Sequence, residues 1–342
     1  MGVKLSGLVE GENADMDQLS GKMLAVDAFN MLYQFITTIR QPDGSPLTDS
    51  KGRVTSHLIG LFYRLSNLLK RDISLVFVFD GESHKLKKDE QERREDIKRD
   101  AEKRYKDAID SEDIEMMKKY AGRTSRLNEE MIQESKELLE AMGIPWIQAP
   151  SEGEAQCARL VQKGQAFAVM SQDADSMLFG APRIIKNLSI SQRKKRKGAL
   201  GSEKTVPEII RLDKVLKELK ITHEQLIVMG IMIGTDFNPG GIKGIGPKKA
   251  LKVVKDHEDY DAMFKELDWS SQFNHGWKEV FSIFKDTACS DDYSIETKQL
   301  DKTKVMKILV EEHDFSEQRI SEVCDEVTKN QQKEQKGLGD FF

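Results

Sequence analysis

Short apolar runs alternate with helical periodicities along most of this chain. The runs Met23–Val26, Leu75–Phe79, Ile144–Ile147 and Phe167–Met170 have the length and composition of buried strands. Between the first two, Asn30–Arg40 reads as a helix with Tyr33 in its early turns. A loop follows at 41–53, punctuated by Pro42, Gly44, Pro46 and Gly52. From Val54 to Lys70, Leu58, Leu61, Phe62, Leu65, Leu68 and Leu69 recur at helical spacing. Asn128–Met142 predicts a helix capped by Asn128 and stopped by Gly143. Ala155–Gln162 continues a helix expected to open under a Ser151 cap. Strand, helix, strand in this order predicts an α/β fold: a central, mostly parallel sheet flanked by helices.

The rhythm breaks twice. Ser83–Arg126 has almost no apolar face before Met116, and its acids and bases interleave, as in a solvated helix or a mobile arm. Such a long insertion between two core strands points to function. Further on, 183–191 and 205–212 predict two more strands bridged by the basic stretch Gln192–Gly198. Thr222 caps a helix over 223–234, and 259–330 read as further helices, one capped at Ser316. The expected organisation is one domain over 1–330, with parts at 1–82, 83–127 (the insertion), 128–258 and 259–330. A polar tail follows at 331–342.

Composition narrows the class. A content of 38% hydrophobic and 32% charged residues describes a globular chain with a highly charged surface. No apolar stretch approaches the roughly 18 residues of a membrane span, and no export signal opens the chain, so an intracellular protein is expected; a monomer is the expected state. Met1–Ser6 fits the loose myristoylation pattern, but a structural role for Gly2 explains it as well. Cys157, Cys289 and Cys324 are scattered, which suits a reducing compartment, and the six histidines show no zinc-type spacing. The net charge of −5 argues against nucleic acid only as an average.

The candidate chemistry is acidic. Asp27 ends the first strand, Asp80 the second, Glu152 and Glu154 open a helix after the third, and Asp173 and Asp175 follow the fourth. Taken singly, each has a plain role as a helix cap or a turn residue. Together they stand at the C-terminal ends of parallel strands, where open α/β sheets place their ligand sites. Two carboxylates about 4 Å apart repel by roughly 4 kcal/mol at an effective dielectric of 20. Oxygen-only ligands select hard divalent ions, Mg²⁺ or Mn²⁺, and two such ions suit phosphodiester hydrolysis. With these six acids and Asp236 set aside, 53 basic residues face 51 acidic ones over the remaining surface.

Two further motifs support nucleic acid. Helix, Gly241–Lys249, helix reads as a helix-hairpin-helix over 223–256. Gly244 and Gly246 allow the backbone close to a phosphate, Pro247 starts the second helix, and Lys248 and Lys249 add charge. In the tail, Gln335, Leu338, Phe341 and Phe342 have the spacing of a peptide that binds a sliding clamp; exposed paired phenylalanines are a liability without a pocket to fill.

At this point the chain resembles the flap endonucleases, structure-specific 5′ nucleases of DNA replication and repair, from Met1 to Phe342. The resemblance rests on Val26-Asp27-Ala28, Val78-Phe79-Asp80-Gly81, Pro150-Ser151-Glu152-Gly153-Glu154-Ala155, Ser171-Gln172-Asp173-Ala174-Asp175 and Gly234-Thr235-Asp236-Phe237. It implies cleavage of branched double-stranded DNA at a 5′ flap, in Okazaki-fragment maturation and repair, with an accompanying 5′ exonuclease activity. It implies that Asp27, Asp80, Glu152 and Glu154 favour one Mg²⁺, with Asp173, Asp175 and Asp236 completing a second. Residues 83–126 become a helical arch, and Lys87 and Arg94, seven apart on one helical face, a basic pair for the scissile phosphate. Tyr33 becomes a base-stacking platform, Gly2 a processed N-terminus near DNA, Thr55 part of a 3′-flap pocket, and the hairpin a site for K⁺ beside a phosphate. Because the chain stops at the clamp motif, the archaeal type is expected. A 5′ exonuclease or junction-resolvase relative, and a clamp-bound scaffold with a dead site, are the other readings.

Overall fold

A computed structural model describes residue 8 and residues 11–111, 113–188, 193–195, 202–204 and 206–339. Gly2, Phe341 and Phe342 lie outside the described residues, and for Gln335 and Leu338 only the backbone is described.

In chain order the strands are β1 (Glu12–Asn13), β2 (Lys22–Asp27), β3 (Ile73–Phe79), β4 (Trp146–Gln148), β5 (Ala168–Met170), β6 (Arg183–Lys186), β7 (Arg193–Lys195), β8 (Ser202–Lys204) and β9 (Glu208–Arg211). The helices through the hairpin are α1 (Ala28–Thr38), α2 (Ser56–Leu69), α3 (Lys88–Asp110), α4 (Ile114–Ala121), α5 (Glu129–Ala141), α6 (Gly153–Gln162), α7 (Leu212–Leu219), α8 (His223–Ile233) and α9 (Pro247–Asp256). Then come α10 (Tyr260–Glu266), α11 (Trp269–Gln272), α12 (Trp277–Asp286), α13 (Lys302–Met306) and α14 (Glu317–Gly339).

Seven strands form one sheet in the order β1-β9-β6-β5-β2-β3-β4. The five from β6 to β4 run parallel, and β9 and β1 close one edge antiparallel. Alternate residues feed two cores. Ala25, Val76, Val78, Val169 and Ile184 face α6, α8 and the later helices, while Leu24, Val26, Phe77, Phe79 and Met170 face α1, α2, α5 and α14. Covering both faces explains why the strands read as unbroken apolar runs rather than alternating ones.

From β2 the chain goes first to β3 and β4 on one side, then returns to β5 on the other. The connections therefore leave β2 and β5 in opposite directions and open a crevice at the carboxyl ends of these two strands. Asn128 caps α5 by accepting from Met131 N, Thr222 and Gln225 form a full capping box on α8, and Gly143 ends its helix region with φ +73°.

Four expectations change. Glu152, not Ser151, is the residue at the N-terminal boundary of α6; the Ser151 hydroxyl donates to the Glu82 carbonyl instead, 3.2 Å away. The basic stretch does not simply bridge two sheet strands: β7 (193–195) and β8 (202–204) pair with each other as a separate antiparallel ribbon. The insertion is helical, as the arch reading expects, but it is two helices rather than one solvated helix or a mobile arm, with Ala101, Ala108, Tyr120 and Ala121 buried. Finally, 287–301 is not helical. It passes from one core to the other, held by paired hydrogen bonds between Gln156 and Ser290 and by Lys298 N donating to Gly143 O at 2.9 Å.

Candidate active site

The acids predicted from the sequence converge at the carboxyl edge of the sheet. Asp27 ends β2 and accepts the amide of Asn30 at 3.0 Å, so it also caps α1. Asp80 follows β3 directly. Its Oδ1 accepts from Gly153 N at 2.6 Å, and the β3 and α6 connections are zipped by Gly81 N donating to Ser151 O, also 2.6 Å. A side chain at 153 would place its Cβ 2.6 Å from that Asp80 oxygen. Asp173 accepts from the Asn30 amide side chain at 3.1 Å, which brings the β5 acid against the β2 helix. Asp27 and Asp173 are therefore neighbours across the crevice.

Charge in the bowl is crowded. Burial raises Asp27 to about 7, with Asp80 and Asp173 adding repulsion. Burial likewise raises Asp80 and Glu152, against the pull of Lys87. Glu154 is pushed well above the ordinary carboxylate value by burial, then by Asp175 and Asp27. These mutual influences tie all seven acids to one small region.

The positive charge comes from the base of the insertion. Lys87 pairs with Glu152, which is only 4% exposed, and its ammonium also lies 5.4 Å from the Phe237 ring centre. Burial alone would lower the Lys87 pKa; Glu152 and Asp80 outweigh it and raise it. Arg94 reaches both oxygens of Asp236 at 2.7 and 2.8 Å and is steadied by buried Glu90 at 2.7 Å. Lys87 and Arg94 thus face the acids from a single helical stretch. As the side chains stand, no three His, Cys, Asp or Glu groups among the described residues are disposed to hold a metal ion. Their donor chemistry nevertheless fits a hard divalent cation: all are oxygen donors, several are buried, and Asp27, Asp80, Glu152 and Glu154 are raised by that burial.

The outlying expectations fare differently. Tyr33 projects from α1, with Lys98 of α3 at 5.3 Å from its ring centre. Thr55 precedes α2 but is buried, 3% exposed, and makes no side-chain cap. Gly244 has φ +80°, Gly246 has open space around it, and Lys248 and Lys249 are exposed at the start of α9. Sequence reasoning missed Asn30, Glu90 and Gly153. Asn30 read as an ordinary helix residue, Glu90 was hidden in a charge run, and only the hydrogen-bond geometry separates them from their neighbours.

An α/β sheet with an acid-lined switch crevice and a helical insertion over it defines the class, and the family models agree. Residues 1–101 match the XPG N-terminal domain and 143–236 the XPG I-region. The chain belongs to the flap endonuclease 1 family. It is 48% identical over 335 residues to flap endonuclease 1 of Staphylothermus marinus, covering 96% of this chain and 95% of the relative. The solved flap endonuclease-1 from Methanococcus jannaschii superposes with a TM-score of 0.75 at 40% identity, covering 96% of this chain and 98% of that one. The catalytic core of Rad2 in complex with a DNA substrate shares the fold (TM-score 0.65, 23% identity, 93% of this chain and 96% of that one).

Proposed function

We propose that this chain hydrolyses a phosphodiester at the single-strand/double-strand junction of a 5′ flap, leaving a 5′-phosphate, and removes nucleotides from 5′ ends by the same chemistry. The observation that carries the reading is the meeting of Asp27, Asp80, Glu152, Glu154, Asp173, Asp175 and Asp236 at one crevice, faced by Lys87 and Arg94. Okazaki-fragment maturation and repair are the settings that create such flaps.

Asp27, Asp80, Glu152 and Glu154 would hold one Mg²⁺ and Asp173, Asp175 and Asp236 a second, with Mn²⁺ able to replace either. Bound there, the ions would supply charge neutralisation for the attacking and leaving oxygens. Lys87 and Arg94 neutralise negative charge gathering on the scissile phosphate, and their present partners Glu152 and Asp236 keep both cations aimed at the crevice. The exposed Lys248 and Lys249, beside the α9 start, hold duplex phosphates, and K⁺ can share that loop. Stacking of a base on Tyr33 requires displacing Lys98 from its ring. Residues 335–342 bind a sliding clamp.

Cleavage of a 5′-flap DNA with Mg²⁺ by the unaltered chain and by Asp173→Ala tests the reading. Abolished cleavage in the variant is expected; equal cleavage would overturn it.

A further inference from the structure

Three acids of the crevice are held by neutral donors rather than by cations. Gly153 N serves Asp80 through the α6 start, but a single residue serves both Asp27 and Asp173. The backbone amide of Asn30 donates to Asp27 Oδ1 at 3.0 Å, and its side-chain amide donates to Asp173 Oδ2 at 3.1 Å. These two acids end β2 and β5, the adjacent strands whose connections diverge. Nothing else that is hydrogen-bonded across the crevice at this level joins them: among the described residues, the other oxygen of each takes no hydrogen bond.

We propose that Asn30 is a positioning residue that sets the rotamer of Asp173 against Asp27 and so pre-organises the cation site. The inference rests on the metal-dependent reading given above. A carboxylate with one oxygen tied to an amide presents its remaining oxygen in one direction. An amide also orients without neutralising: a lysine at this place would compete with a divalent ion, as Lys87 does at Glu152. The donation is available only because Asn30 lies in the first turn of α1, where its own N–H has no helical acceptor and turns to Asp27. One short residue thereby fixes the acids on both sides of the switch point. Outer-shell partners of this kind typically govern about 10- to 100-fold in metal affinity.

The test is Asn30→Leu, which keeps side-chain size and the backbone donation to Asp27 while deleting the amide. Mn²⁺ binding to the DNA-free protein is read from the electron paramagnetic resonance of free Mn²⁺, alongside flap cleavage across a Mg²⁺ series and thermal melting. The expected result is Mn²⁺ affinity about 10-fold weaker, a Mg²⁺ requirement shifted upward in parallel, and an unchanged KM for the flap at saturating metal. Asn30→Gln, which keeps an amide donor, should recover part of the affinity. Unaltered Mn²⁺ affinity in Asn30→Leu would overturn the proposal, as would a loss fully accounted for by lowered melting temperature. Asp173→Ala run in parallel separates the two claims: if it too binds Mn²⁺ and cleaves normally, the metal-dependent reading fails; if only Asp173→Ala is impaired, only the role of Asn30 fails.

Discussion

Replacing His313 by alanine should lower the melting temperature of this protein by a few degrees, and the loss should depend on pH in a bell-shaped way. His313 follows α13 and a single π-turn, and it is buried. Its Nδ1 faces Asp49 Oδ2 and its Nε2 faces Glu134 Oε1, both at 3.2 Å. Only the doubly protonated ring donates to both carboxylates. Glu134 also meets His57 at 2.9 Å, while Asp49 accepts from Arg53 Nε at 2.8 Å and from the amides of Lys51 and Arg53. Arg53 in turn donates to the Glu312 carbonyl, and Ser50 N to Asp314 at 2.8 Å. The network ties the 41–53 loop, α2 and α5 to the chain beyond α13. Deleting the ring removes one donor from each carboxylate, leaving Asp49 with Arg53 and Glu134 with His57, at about 1–3 kcal/mol. With an unfolding entropy near 2.1 cal/mol/K per residue over 342 residues, that is about 1–4 °C.

The pH window follows from the directions of the shifts. Burial alone would raise Asp49 and Glu134, but hydrogen bonds from Arg53 and His313 bring Asp49 down to about 2, and hydrogen bonds from His313 and His57 bring Glu134 down to about 2. Their contribution is complete above the ordinary values of 3.8 and 4.5 and is lost as pH falls toward 2. Burial would lower His313, yet Glu134 and Asp49 raise it above 6.5, so its contribution is complete below 6.5 and lost as pH rises through the raised value. The difference in melting temperature between the unaltered protein and His313→Ala should therefore be largest between about pH 4.5 and 6.5 and shrink on both sides. Scanning calorimetry from pH 3 to 9 measures it. A constant difference across that range would mean that lost packing, not the charge network, is responsible.

Three other outcomes are expected. Lys87→Met should lower kcat on a 5′-flap substrate about 100-fold or more, the scale of losing one donor to developing charge, with flap binding in Ca²⁺ little changed; single-turnover cleavage checks it. The pair Lys248→Ala and Lys249→Ala should weaken binding of plain duplex DNA and reduce the slope of log K against log salt by about 1–2, seen in a salt series by fluorescence anisotropy. Removing residues 335–342 should abolish binding to a sliding clamp in a pull-down while leaving cleavage of a free flap unchanged.

The sequence carried the acids well because each sits at a place that local rules can find. Asp27 and Asp80 terminate unbroken apolar runs, and Glu152 marks a helix start, so their common edge follows once the sheet is taken as parallel. What it could not carry is what depends on distance between remote segments. Among the charges of 87–110 only the family resemblance distinguished Arg94, and no local pattern shows its pairing with Asp236 at 2.7 Å; Asn30, likewise, is one polar residue in an apolar helix whose contact with Asp173 no local rule predicts. The irregular 287–301 segment escaped for the same reason, since its backbone is satisfied by Gly143 and Gln156 rather than by a local pattern. Ser151 illustrates competition: its hydroxyl suited a cap, but the turn bringing β3 and α6 together offered the Glu82 carbonyl first.

The insertion enters directly after β3 and returns at α5, so both of its ends are rooted beside the crevice while its far portion is free of the sheet. Lys87 and Arg94 occupy its first turns, and the remainder of α3 is fastened by Arg126 to Glu95 and Glu102. Chemistry and reach are consequently decoupled. Lengthening, shortening or recharging the outer half of α3 and α4 would alter which strands can pass over the site without shifting one carboxylate within it.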